Sequence, residues 1–232
     1  MLGFDLETTG VDRFNDVPAS YVLVRVVDGV VRTSWSGLVD PGREIPLDAT
    51  AVHGITSERA YTEGMPLTVA VALLCDAIVA ASARGVPLTG MRLDYDLTLL
   101  DTQAKTLGAR GILDRGWCGP VLDVAVLDRH FDPERPGRRT LVDLCAQYGI
   151  DNARAHDASA DAIAAVEVLF TLTAGCEELR SADLAVLHRS QIDWHREWSE
   201  GRDEGPVSSE SILIDPRDSV WPVAPVVMPR VA

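Results

Sequence analysis

The chain has 232 residues, 47% of them hydrophobic and 24% charged, a profile that excludes a disordered chain and fits one globular domain with an appendage. Lys plus Arg number 21 against 35 Asp plus Glu, and the formal net charge of −14 excludes a protein that coats nucleic acid or an anionic membrane through a broad basic surface. An enzyme that meets nucleic acid locally, through metal ions and a few arginines, stays within these bounds.

Residues 2–6 read as a short strand. Two β-branched and aromatic runs follow, 20–27 and 30–39, separated by Asp28-Gly29, the dipeptide that most strongly signals a hairpin. Together the three runs form an antiparallel meander. Residues 66–83 predict an alanine-rich buried helix with Pro66 in its first turn and Gly85 just past its end. The same stretch is the best membrane-spanning candidate, but Asp76 interrupts it. Alternation then predicts a strand at 86–91, a helix at 95–107, a strand at 120–124 and helices at 140–148 and 157–173. In the last of these Ile163, Val166, Phe170 and Thr173 share a face. A hairpin followed by βα units predicts a mixed sheet flanked by helices. Leu184, Leu187, Gln191, Trp194 and Trp198 keep helical spacing, so another amphipathic helix is expected there. From Gly201 the chain turns rich in Pro and Ser, with apolar clusters at 212–214 and 220–227. This reads as an extended tail that packs on the domain or on a partner. The division expected is a domain over 1–175 and a C-terminal helix and tail over 176–232.

Cys75, Cys118, Cys145 and Cys176 form no CxxC pair, so buried thiols are expected rather than a zinc or redox site. Asp5 and Glu7 fall where a secretory leader needs apolar residues, so no signal peptide, no membrane association and a cytoplasmic location are expected.

Asp5 and Glu7, two apart on a strand, project from one face roughly 7 Å apart along the backbone. Two anions so close raise each other's pKa and cost stability unless a cation lies between them. A lone D-x-E is as readily a solvated acidic face. Asp96, opening a helix after Tyr95, complements a helix dipole equally well, and spacing alone does not prefer it over Asp94 or Asp101. His156 stands five residues before Asp161, which lies on a helix with little other polar surface, where an unpartnered Asp is expensive.

FDLETTG (Phe4 to Gly10), the aromatic-Asp pair Tyr95-Asp96 and H-x-x-x-x-D (His156, Asp161) together resemble the three motifs of the DEDDh family of 3′→5′ exonucleases. That family includes the proofreading subunit of bacterial replicative DNA polymerase, and the chain is similar to its stand-alone actinobacterial relatives. Segments 51–56 (AVHGIT) and 138–150 (RRTLVDLCAQYGI) are similar to family segments in the same order. The resemblance covers about residues 1–175. Beyond it, Leu187-His188-x-x-Gln191 and Trp221-Pro222 look like elements of the actinobacterial group.

The resemblance implies an RNase H-like fold, a mixed five-stranded sheet flanked by helices. It implies that Asp5, Glu7, Asp96 and Asp161 hold two divalent ions, Mg²⁺ or Mn²⁺, and that His156 is the general base. Thr8, Thr9 and Gly10, with His53, Arg92 and Tyr95, border the terminal nucleotide in this reading. Hard divalent ions take oxygen ligands, and two of them clamp a phosphate and activate water, so carboxylates without cysteine suit phosphodiester hydrolysis. His, with a reference pKa of about 6.5, suits proton removal near neutrality. The implied partner is the 3′ end of a nucleic acid, DNA before RNA, with the C-terminal region a candidate for docking a DNA polymerase or a second copy.

The chain departs from the family in two ways. Arg92 stands where an Asn is usual, placed either to contact a substrate phosphate or to point away. Strand one has only four residues before Asp5, which reads as a clipped start. Two rival functions remain: an exonuclease-fold adaptor that binds nucleic acid or a polymerase without cutting, and a haloacid-dehalogenase-like phosphatase. The second needs Asp where Glu7 stands.

Overall fold

A computed structural model of the chain describes residues 1–152, 155–201, 217 and 220–225. β1 (Leu2–Thr8), β2 (Pro18–Val27) and β3 (Val30–Asp40) form the expected meander, with Asp28 and Gly29 both at positive φ (53° and 74°) in the hairpin turn. Next come α1 (Leu47–His53), α2 (Ser57–Glu63), β4 (Met65–Pro66), α3 (Leu67–Ser82), β5 (Leu88–Gly90), α4 (Leu93–Thr106) and a 3₁₀ turn at Leu113–Arg115. The chain then runs through β6 (Val121–Asp123), α5 (Val124–Phe131), α6 (Leu141–Tyr148), α7 (Ala158–Gly175), α8 (Glu177–Ser181) and α9 (Leu184–Gly201).

The sheet has six strands in the order β4-β3-β2-β1-β5-β6, one more than the five expected. The addition is β4, two residues that pair in parallel with Val39 and Asp40. β1 runs antiparallel to β2 and parallel to β5, so the sheet is mixed and β1 is central. Strands expected at 86–91 and 120–124 contract to three residues each. Asp123 ends β6 and caps α5 at once, its carboxylate accepting from the Ala125 amide, so Val124 is already helical.

Alternation along β1 sets the two faces of the sheet. Leu2, Phe4 and Leu6 bury on one side against Leu74 and Ile78 of α3 and Leu93, Leu97 and Leu100 of α4. On the other side a Cβ on Gly3 would meet Val166 Cγ2 at 3.2 Å and the Ala162 carbonyl at 3.5 Å, both on α7. A glycine in β1 and alanines 158 and 162 in α7 therefore let helix and strand approach closely, with Val22, Val24 and Val26 of β2 completing the layer. Among the described residues α7 alone is long and apolar enough to cross a membrane, and it packs on this sheet.

Helix α9 covers the outer edge of the sheet. The Asp123 amide donates to Gln191 Oε1 at 2.9 Å and Gln191 Nε2 donates to the Val121 carbonyl at 2.7 Å, so a side-chain amide stands in for a seventh strand. From the C-terminal stretch, Trp221 and Val223 bury in the α3/α4 core and the Ala224 amide donates to Thr98 Oγ1 at 2.9 Å. The apolar cluster expected at 212–214 lies outside the described residues. Cys75 and Cys145 are buried as expected. Cys118, in the connection before β6, is exposed, and Cys176, between α7 and α8, is half-buried against the α5/α6/α7 cluster.

Candidate active site

At the C-terminal end of β1, Asp5 and Glu7 emerge on the α7 side, and the first turn of α7 brings Asp161 to meet them. One carboxylate oxygen from each of the three lies within 4.8 Å of the other two. Asp161 is aimed by two donors, Asn152 Nδ2 at 3.0 Å and the backbone amide of His156 at 2.9 Å. The latter requires His156 to adopt the left-handed conformation (φ 68°), which His tolerates better than most residues. Its ring is exposed.

Asp96, in the first turn of α4, is buried and stands outside that trio, yet its charge helps raise Asp5 and the Glu7 charge helps raise Asp96. Burial is the main cause in each case. Asp5 is held well above the ordinary carboxylate range by burial, then by Asp96, Glu7 and Asp161. Glu7 is pushed up to about 8 by burial and by Asp161 and Asp157. Asp96 rises through burial, Asp94 and Asp123. Four acids from three segments crowd together, and among the described residues no lysine or arginine forms an ion pair with them, which is the arrangement a divalent ion relieves.

The donor set fits such an ion. Oxygens sharing one Mg²⁺ are at most about 4.2 Å apart at Mg–O distances of about 2.1 Å. A largest separation of 4.8 Å therefore closes with a few tenths of an ångström of movement. Sulfur and imidazole are absent from the trio, as a hard cation requires.

The expected nucleotide-binding residues fall into different places. Thr8 Oγ1 donates to the Gly10 carbonyl (2.7 Å), and the Tyr95 hydroxyl donates to the same carbonyl (2.6 Å) while lying 3.0 Å from Thr8 Oγ1. Tyr95 thus ties the end of β1 to α4. Thr9 is buried and donates to Asp16 Oδ1 at 2.7 Å, and a Cβ on Gly10 would meet Asp16 Oδ2 at 2.6 Å. Both residues serve the 8–17 turn. His53 Nδ1 accepts from the Ile55 amide (3.1 Å), which leaves its Nε2–H to donate to the Thr8 carbonyl (3.2 Å). Burial holds His53 below its ordinary pKa, and the neighbouring His156 adds to that.

Two small cavities flank His156. One, of about 260 Å³, is shared with Glu7, His53 and Arg59, and the other, of about 320 Å³, with Asp161 and Arg138. Arg92 lines neither. It caps α4 in the left-handed conformation (φ 59°), pairs with Asp94 at 3.6 Å and faces a larger cavity of about 1080 Å³.

Sequence reasoning passed over three positioning residues. Asp123 is fully buried and accepts from the Leu93 (2.8 Å) and Arg92 (3.2 Å) amides, fixing the start of the helix that carries Asp96. Asn152 orients Asp161, and Arg13 neutralises buried Asp94 at 3.0 Å beneath the site. The available signal was Asp123 before an apolar run, a helix cap in form. Asn152 and Arg13 act across loops and carried none.

Residues 2–169 match the exonuclease family RNase_T. The DNA polymerase III subunit epsilon of Rickettsia prowazekii is 28% identical over 74% of this chain and 72% of its own length. An epsilon-like protein of Rhodobacter capsulatus is 31% identical over 73% of this chain, and a PolC-type DNA polymerase III of Lacticaseibacillus paracasei is 28% identical over 73% of it. The chain spans only 23% and 11% of those two proteins. Exonuclease I shares the fold, with a TM-score of 0.66 at 20% identity over 77% of this chain and 41% of that protein. E. coli exonuclease I bound to a dT13 oligonucleotide gives 0.62 over the same shares. This match replaces the haloacid-dehalogenase-like alternative: the chain belongs to the exonuclease family.

Proposed function

We propose that the chain is a metal-dependent 3′→5′ exonuclease that removes nucleotides from DNA 3′ ends in replication or repair. The observation that carries this reading is the convergence of Asp5, Glu7 and Asp161 within 4.8 Å, with Asp96 in electrostatic contact. The epsilon and PolC-type relatives support DNA as the substrate, and the dT13 complex of exonuclease I supports a single-stranded end. The relatives named as polymerase subunits favour a DNA polymerase as partner, a cytoplasmic location is part of the same proposal, and nothing in the described residues argues for a second copy.

Asp5, Glu7 and Asp161, completed by Asp96, would hold Mg²⁺ or Mn²⁺. A pair of such ions, when bound, lowers the pKa of water and neutralises charge gathering on the phosphate. The carboxylates surrender their protons to receive the ions, since a cation reverses the repulsion that raises them. His156, exposed at the junction of the two small cavities, takes the proton of the attacking water on a ring nitrogen. Its backbone amide meanwhile holds Asp161, so base and ligand are positioned by one residue. Thr8 and Gly10, braced by Tyr95, present main chain beside the acids, and His53 closes the far wall against the terminal nucleotide. Thr9, its hydroxyl held by Asp16, lies beside Thr8 and Gly10 in the same turn.

A 5′-labelled single-stranded oligonucleotide incubated with purified protein tests the proposal. Stepwise shortening in Mg²⁺ or Mn²⁺, abolished by EDTA and by Asp5→Ala with Glu7→Ala, is the expected result. Binding without shortening in either metal would instead mark an adaptor.

A further inference from the structure

A cavity larger than either of those beside His156 lies off the carboxylates. It measures about 1080 Å³ and lies beside them, walled by α5, the 132–140 loop and α9. We propose that it is a second binding subsite, for the single-stranded stretch of an oligonucleotide several units away from the end being cut. The proposal deepens the exonuclease reading and rests on it only for which strand is bound.

Charge is the first argument. Five arginines (Arg92, Arg129, Arg135, Arg138, Arg139) line the cavity against three acids, in a chain whose net charge is −14. A polyanion repelled elsewhere finds its cationic surface here. The arginines divide the work. Arg135 and Arg139 both donate to buried Asp128, at 2.7 and 2.5 Å, and so brace the loop. Arg138, between them in sequence, is exposed, and its guanidinium makes no hydrogen bond or ion pair among the described residues.

Aromatic surface is the second. Trp194 stacks on His130 at 3.6 Å, and the Arg129 guanidinium lies 4.0 Å over the Trp198 ring. Both tryptophans are half-buried and both line the cavity. Indoles backed by imidazole and guanidinium groups form a polarised aromatic wall of the kind that unpaired bases contact while their phosphates are neutralised, and a duplex keeps its base faces stacked inside.

Continuity is the third. Arg138 and Thr140 line both this cavity and the small one that contains His156 and Asp161. The two cavities therefore adjoin at these residues, which puts the arginine-lined one next to the acids. At about 1080 Å³ the space exceeds the upper range of small-ligand pockets, which suits a polymer rather than a mononucleotide. Finally, α9 lies beyond the 2–169 family match, so both tryptophans stand outside the residues that carry it.

The test is fluorescence anisotropy with the full chain in EDTA, where the uncompensated acids repel DNA and binding reports the cavity. Fluorescent dT12 and U12 are the probes, with a 12-base-pair duplex for comparison. Wild type should bind a single strand, DNA or RNA according to which sugar the cavity accepts, more tightly than the duplex. Arg138→Glu and Trp198→Ala should each weaken that affinity roughly 10-fold or more with an unchanged melting temperature. Arg138→Glu should also lower the slope of log affinity against log salt by about 0.7 or more. Wild-type affinity in Arg138→Glu, which is an exposed site and folds regardless, overturns the proposal, as does failure of wild type to bind either single strand. Nucleotide release in Mn²⁺ is scored separately. Release with unimpaired variant binding removes the cavity and keeps the exonuclease, whereas impaired variant binding without release keeps the cavity and removes the exonuclease.

Discussion

Replacing Glu7 with Gln should make the metal-free protein more stable, although it removes a residue assigned to the site. Glu7 rises from 4.5 to about 8 on folding, chiefly through burial and the charges of Asp161 and Asp157. The unfolded chain therefore releases this proton first. Stability is fully present below pH 4.5 and is lost progressively as pH climbs through 8. At about 1.36 kcal/mol per pH unit the ceiling is roughly 4.8 kcal/mol. Glu7 is partly exposed, so solvent screening lowers the usable figure to about 1–2 kcal/mol. Glutamine keeps the shape and carries no charge to be repelled. In EDTA, Glu7→Gln should unfold at the same temperature as wild type near pH 4.5 and roughly 2–8 °C higher at pH 9, at about 2–4 °C per kcal/mol for a chain of this size. Saturating Mn²⁺ should reverse the order, because wild type gains ligand-linked stability and the variant lacks one ligand. Melting curves at the two pH values, with and without metal, supply the readout. A variant no more stable than wild type at pH 9 in EDTA would show that the acids do not strain the fold, and the case for a cation between them would go with it.

Three further outcomes are expected. His156→Asn keeps a residue that accepts the left-handed backbone and leaves the amide bond to Asp161, so nucleotide release should fall about 10²–10⁴-fold while the Mn²⁺ thermal shift persists. Gly3→Val places branched carbon against Val166, 3.2 Å from the new Cβ, at a cost of about 1–3 kcal/mol in urea unfolding. It should also shrink the Mn²⁺ shift by moving Asp161 off the strand. Trp221→Ala empties a buried position in the α3/α4 core and should cost roughly 3–5 kcal/mol by the same titration.

The sequence was most readable where local chemistry and tertiary packing agree. Asp28-Gly29 demands a positive-φ turn and obtains one, and the alanine-rich run after Asp157 becomes a helix against the sheet. Asp5, Glu7 and Asp161 were visible as residues, and their meeting followed from family motifs rather than from spacing. What escaped notice depends on distant partners. β4 is two residues long and exists only because β3 lies beside it. Val124 satisfies strand propensity, but the Asp123 carboxylate captures the next turn for helix. The bond from the Thr9 hydroxyl to Asp16, seven residues on, likewise depends on how the loop closes. The Arg92–Asp94 pair beside the larger cavity is a side-chain pairing of the same kind.

The Gln191 amide that completes the sheet beyond β6 has a consequence for the life of the chain during synthesis. Until residue 191 emerges, the carbonyl of Val121 and the amide of Asp123 are open to any extended segment nearby, including the same strand of another nascent copy. The four acids assigned to the site all lie at or before Asp161, so a chain truncated between the two positions would keep every acid on a domain with an adhesive flank. Self-templated aggregation, rather than loss of chemistry, is the failure to which such a shortened chain is exposed.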